Sequence, residues 1–140
     1  IEKIFCYGGR CDNKELESRT LQLSDYGRGE WTLWFSEEAP SRKFCPANQF
    51  VEQIQCRGGN CDQMRLWCVP FSGGGDYHFT STSVSSSPWF SEEGNHEGSC
   101  GNSGAVIGME CGGDQCDNIR LRCRRWGQVV RVLHWLHFTF

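Results

Sequence analysis

Three short loops carry the residue types best suited to holding a sugar. Each begins with glycine and reaches an aspartate four positions later, followed by an amide side chain: Gly8, Asp12 and Asn13; Gly58, Asp62 and Gln63; Gly113, Asp117 and Asn118. An ionised carboxylate accepts hydrogen bonds from two neighbouring hydroxyls, and glycine lets backbone N–H groups approach a ligand closely. The competing reading is architectural, because an aspartate after a turn often accepts from its own backbone.

A second constellation is the word Trp-Phe-Ser-Glu-Glu, at 34–38 and again at 89–93. Trp34 and Trp89 could each stack on a sugar ring while the acids take its hydroxyls. The plainer alternative makes both tryptophans core anchors, with the glutamates on the rim. Glycoside hydrolysis needs two carboxyls about 5 Å or 6.5–9.5 Å apart on one face. Adjacent residues of a strand point to opposite faces, so Glu37 and Glu38 do not make that pair by themselves.

Other chemistries find little support. The four histidines, His78, His96, His134 and His137, are scattered, and the last two sit three apart, on opposite faces of any strand. A zinc site would need free cysteines as well, so no metal or cofactor is expected. A calcium site at Glu37/Glu38 or Asp114/Asp117 is the nearest alternative. There is no G-x-S-x-G and no phosphate-binding loop, and the chain is read as a non-enzyme.

What positions the loops is an internal repeat. Residues 54–68, IQCRGGNCDQMRLWC, recur at 109–123 as MECGGDQCDNIRLRC, and at 4–18 as IFCYGGRCDNKELES. Cys6, Cys56 and Cys111 each stand five before Cys11, Cys61 and Cys116, and Leu16, Leu66 and Leu121 each stand four after the aspartate. The periods are therefore 50 and 55 residues. Residues 1–140 are read as one domain, with repeats at 1–44, 45–99 and 100–140.

The repeat also constrains the ten cysteines. The first copy has Ser18 where the later ones have Cys68 and Cys123, and its counterpart of Cys45 and Cys100 would fall before Ile1. Two cysteines absent together are partners, which predicts Cys45–Cys68 and Cys100–Cys123. The rest then pair locally as Cys6–Cys11, Cys56–Cys61 and Cys111–Cys116. By the loop-entropy model each long bridge contributes about 3.5 kcal/mol and each short one about 2.

Within the unit the pattern is β. MRLWC and IRLRC alternate, QFVEQIQC alternates after one slip, and the glycine pairs supply turn positions. The Gly/Ser-rich stretch 72–87 reads as a mobile surface loop. The tail after Cys123, RRWGQVVRVLHWLHFTF, alternates like strands that would close the first repeat's sheet, with Trp135 buried. An amphipathic, membrane-seeking tail is the alternative for it.

Composition narrows the class. A net charge of −3 argues against nucleic acid as a partner. No apolar run is long enough for a transmembrane helix. The opening IEKIFC has no signal-peptide pattern, as a mature start or a fragment edge would not. Cysteine density points to a secreted, extracellular protein.

Three all-β repeats of this size suit a β-prism, a β-trefoil or a small propeller. A Trp-containing segment (31–34), then Cys45-Pro46, an alternating strand, a Gly/Asp/Asn loop and Asp117-Asn118-Ile119-Arg120-Leu121-Arg122-Cys123 resemble the vitelline membrane outer layer protein I family. The resemblance covers all three repeats, on short motifs. It implies the β-prism I fold, with three Greek-key sheets as the faces of a prism, in a secreted protein of extracellular coats. The same fold carries jacalin-related lectins, whose sugar-binding loop the G-x-x-x-D stretches resemble. The C-x4-C staple in each loop and the start within a repeat depart from the family pattern.

The expectation is a disulfide-stapled, pseudo-threefold, all-β protein that binds glycans or glycoproteins without catalysis. Repeated sites would suit multivalent capture, and a homo-oligomer is compatible with them. The alternatives are a structural or barrier protein of an extracellular coat and, more distantly, a glycan-acting enzyme.

Overall fold

The computed structural model describes residues 3–7, 11, 13–17, 29–36, 42–58, 62–71, 77–91, 93, 96–101, 104–113 and 116–128. These residues are all-β. The first sheet has strand order β2 (Asn13–Glu17), β1 (Lys3–Tyr7), β9 (Glu97–Ser99). In the second, β7 (Gln63–Pro70) pairs with β6 (Gln49–Arg57) on one side and with β3 (Glu30–Trp31) and β4 (Phe35–Ser36) on the other. The third runs β5 (Arg42–Phe44), β10 (Gly104–Gly112), β11 (Asn118–Gln128), β8 (Tyr77–Ser86). Among the described residues no helix is long and apolar enough to cross a membrane.

Each sheet is built on one hairpin, and the three hairpins share a register. Ile4 faces Leu16, Ile54 faces Leu66, and Met109 faces Leu121. The second and third hairpins also carry a β-bulge at the same place, between Val51 and Gln53 and between Val106 and Gly108. That bulge is the slip in the alternation of QFVEQIQC. One extra residue there shifts which side chains face inward.

Alternation then does the sorting. In β7, Met64, Leu66 and Cys68 are buried, while Gln63, Arg65 and Trp67 face partly outward. The buried set from all three hairpins forms one core with Phe35, Phe90, Val51, Val106 and Ile119. Burying each such side chain contributes about 1.5–3 kcal/mol. A smaller cluster of Phe50, Val69 and Ala105, with Phe71, Phe79 and Trp126 against it, joins the second and third sheets at the end away from the hairpin turns.

The hairpins are tied together by exchanged strands. β9, just before Cys100, pairs with β1 of the first hairpin, and β5, just before Cys45, pairs with β10 of the third. β3 and β4 follow the first hairpin but join the second sheet, and β8 follows the second hairpin but joins the third. Cys45–Cys68 and Cys100–Cys123 each clamp the exit of an exchanged strand to the next hairpin. Cys6–Cys11 and Cys111–Cys116 staple two hairpin ends. Cys56 is disulfide-bonded as well, and its expected partner Cys61 lies outside the described residues.

Two expectations are corrected. Residues 77–86 of the Gly/Ser-rich stretch are not a mobile loop but strand β8, ten residues long, paired along β11. Composition misleads there, because one face of an edge strand can carry serine and threonine and still supply its backbone bonds. Trp126 also does not help to close the first sheet. It lies in β11 opposite Phe79, beyond a bulge at Arg124, and so belongs to the third. The rest of the tail, 129–140, Trp135 included, lies outside the described residues.

Candidate functional site

The loops sit where β6 turns into β7 and β10 into β11. Gly58 and Gly113 have φ of 81° and 70°, and Cys116, just before its aspartate, also takes the left-handed conformation, as does Cys11 in the first loop. Glycine is required there twice over. A methyl group at Gly58 would collide with Asp62 Oδ1, and one at Gly113 with Asp117 Oδ1, so each carboxylate lies folded over its glycine. Asp62 is exposed and, among the described residues, makes no hydrogen bond or ion pair. Asp117 is half-buried and accepts from Asn118 Nδ2 at 3.4 Å. Gln63 is engaged, its Oε1 accepting from Arg57 Nε at 2.6 Å. Asn13 opens β2, while Gly8 and Asp12 lie outside the described residues.

The anchor reading of Trp34 and Trp89 is corrected by one position. Phe35 and Phe90 are the core residues, 2% and 1% exposed, whereas Trp34 is half-buried and Trp89 is 43% exposed. Phe90 exchanges backbone hydrogen bonds with Ile119, and Phe35 occupies the matching place opposite Met64. With phenylalanine turned inward, the preceding tryptophan must turn outward. Trp89 then lies against Gly112, next to the Gly113–Asp117 loop. Trp34 lies over Arg57, next to the Gly58–Asp62 loop. The two constellations named from sequence therefore meet at one end of the second and third hairpins. Glu37 and Glu38 lie outside the described residues.

Sequence reasoning missed the face that leads away from this end on the second sheet. Arg57 sits 4.0 Å from the centre of the Trp34 ring, and Arg65 is 4.7 Å from Trp34 and 4.3 Å from Trp31. Trp31 meets Trp67 edge-on at 5.2 Å. Cations over indole faces attract through the ring quadrupole, and the stack holds these long side chains in place. Arg65 Nε donates to Gln55 Oε1 at 2.7 Å. Gly29 makes room for Trp67, whose ring a side chain there would strike. The signal was available: alternation in MRLWC puts Arg65 and Trp67 on the side opposite Leu66 and Cys68.

The third sheet has the same frame with different chemistry. Arg120 stacks on Trp89 at 4.6 Å, as Arg65 does on Trp34. Opposite Arg120, where the second sheet has Gln55, stands Glu110. Its carboxylate bonds Arg120 Nε and lies 3.9 Å from Arg42 and 3.8 Å from Arg122. In the first sheet the same pair of positions is Phe5 and Glu15. The three outer faces are thus cationic with an amide, ion-paired, and apolar with an acid.

Two hydroxyls missed from sequence are structural. Ser87 Oγ accepts from Leu121 N at 2.9 Å, and Thr32 Oγ1 accepts from Leu66 N at 3.0 Å, where β11 and β7 lose a backbone partner. Beside Trp31, a recess of about 300 Å³ runs between Glu30, Leu33, Lys43 and Phe44. Among the described residues no group of histidine, cysteine and carboxylate side chains is placed to hold a metal.

Fold and bridges define a disulfide-stapled all-β protein suited to an oxidising, extracellular environment. No family model matches the chain, and neither does any curated protein or solved structure.

Proposed function

We propose that this is a secreted, non-catalytic carbohydrate-binding protein of pseudo-threefold β-prism form, in keeping with its resemblance to the vitelline membrane outer layer protein I family. The carrying observation is on the second sheet, where half-buried indoles Trp31 and Trp34 line an outer face that ends beside the exposed carboxylate of Asp62, which has no hydrogen bond or ion pair among the described residues. Indole faces suit the C–H faces of pyranose rings, and a free carboxylate suits paired hydroxyls. The disulfides hold this face in its binding shape, which lowers the ordering cost of association.

A coat or barrier role is the second reading, favoured by the third sheet. There Glu110 occupies the arginines and Asp117 is half-buried against Asn118, so that face is built for architecture. Three equivalent sites are accordingly not part of the proposal. A glycan array probed with the intact protein and with Asp62→Asn tests the reading. Binding that weakens in the variant at unchanged melting temperature supports it, and an array with no signal for the intact protein refutes it.

A further inference from the structure

We infer that the outer face of the second sheet takes an acidic glycan, its sugar rings bearing carboxylate or sulfate groups. The inference rests on the carbohydrate-binding reading and names the class of sugar. Arg57 and Arg65 each spend Nε on a neutral amide, Gln63 or Gln55, and among the described residues neither has an ion pair. Contact with Trp34 and Trp31 holds both guanidiniums, and among the described residues no hydrogen bond engages their terminal nitrogens. Paired donors of this kind match the oxygens of a carboxylate or sulfate.

The third sheet shows what an occupied version looks like. The same cross-strand slot holds Glu110, and the protein's own carboxylate engages Arg120. Glutamine at position 55 leaves the second sheet's cations for an external anion. Guanidiniums resting on indoles along the face then give a sugar chain cationic groups set on an apolar bed. The protein's net charge of −3 makes this local cationic stack the feature that selects an anion.

The test is titration of the intact protein, by calorimetry at low and high salt, with three hexasaccharides: heparin-derived, hyaluronan-derived and neutral chitohexaose. The two acidic ligands should bind about tenfold or more tightly than the neutral one, with affinity falling as salt rises. Gln55→Glu should remove that preference without unfolding the protein, because the third sheet already accommodates glutamate in this slot. Arg57→Gln/Arg65→Gln should do the same, whereas Arg42→Gln on the third sheet should not. Binding of chitohexaose as tight as that of the acidic ligands would overturn the inference and leave the carbohydrate-binding reading standing; binding of none would overturn both. Equal affinity for a dT6 oligonucleotide, or a preference that survives Gln55→Glu and the double variant, would also overturn it.

Discussion

At the scale of single residues, the glycines of the hairpin ends do more than turn the chain. Gly58 combines a φ of 81° with a carboxylate lying where its side chain would be. Gly58→Ala should therefore cost more than the roughly 1–2 kcal/mol of the left-handed conformation alone. Adding Asp62→Ala should recover the excess, because the collision goes and the φ penalty stays. Denaturant melts of the two single variants and the double read this directly. Ser87 makes a second case: Ser87→Ala strands the buried Leu121 N–H and should cost about 1–3 kcal/mol. Repetition made the Gly–Asp pairs visible in the sequence. Ser87 and Thr32 escaped notice because a hydroxyl that replaces a backbone acceptor has no local pattern. It matters only through the strand it meets 34 residues away.

At the scale of elements, the hairpins were legible because their side-chain period is two and their cysteines recur at fixed steps. The bulge was visible only as a fault in that period, and its meaning needed the partner strand. Strand β8 was hidden, since YHFTSTSVSS has too little apolar content to declare a face, and its bonds come from β11, which follows it in sequence. Four of the five expected bridges are in place, and Cys56 is bonded too. Replacing Cys45 and Cys68 together by alanine should lower stability by about 3.5 kcal/mol, as expected for a bridge that constrains 23 steps of unfolded chain. A loss near zero would mean that the bridge does not restrict the unfolded chain in this way.

At the scale of the whole molecule, exchange of strands means that no hairpin completes its sheet alone. The third sheet takes β5, β8 and its own hairpin from three parts of the chain. Unfolding with bridges intact should accordingly be a single transition by both far-ultraviolet dichroism and tryptophan fluorescence. Non-coincident curves would show hairpins unfolding separately. The repeat suggested three like sites, but the outer faces differ, among other places, at the pairs 55/65, 110/120 and 5/15. Such differences do not disturb a repeat's signature, because outward side chains of a strand are free to vary while the inward ones hold the core. The central claim, that sugar lies along Trp34 and Trp31 of the second sheet, is tested most directly by following the indole N–H resonances during a titration with the heparin-derived hexasaccharide. The predicted result is saturable shifts of Trp31 and Trp34, with Trp126, packed in the cluster at the far end, unmoved. Shifts confined to Trp89, or none at any indole, would contradict it.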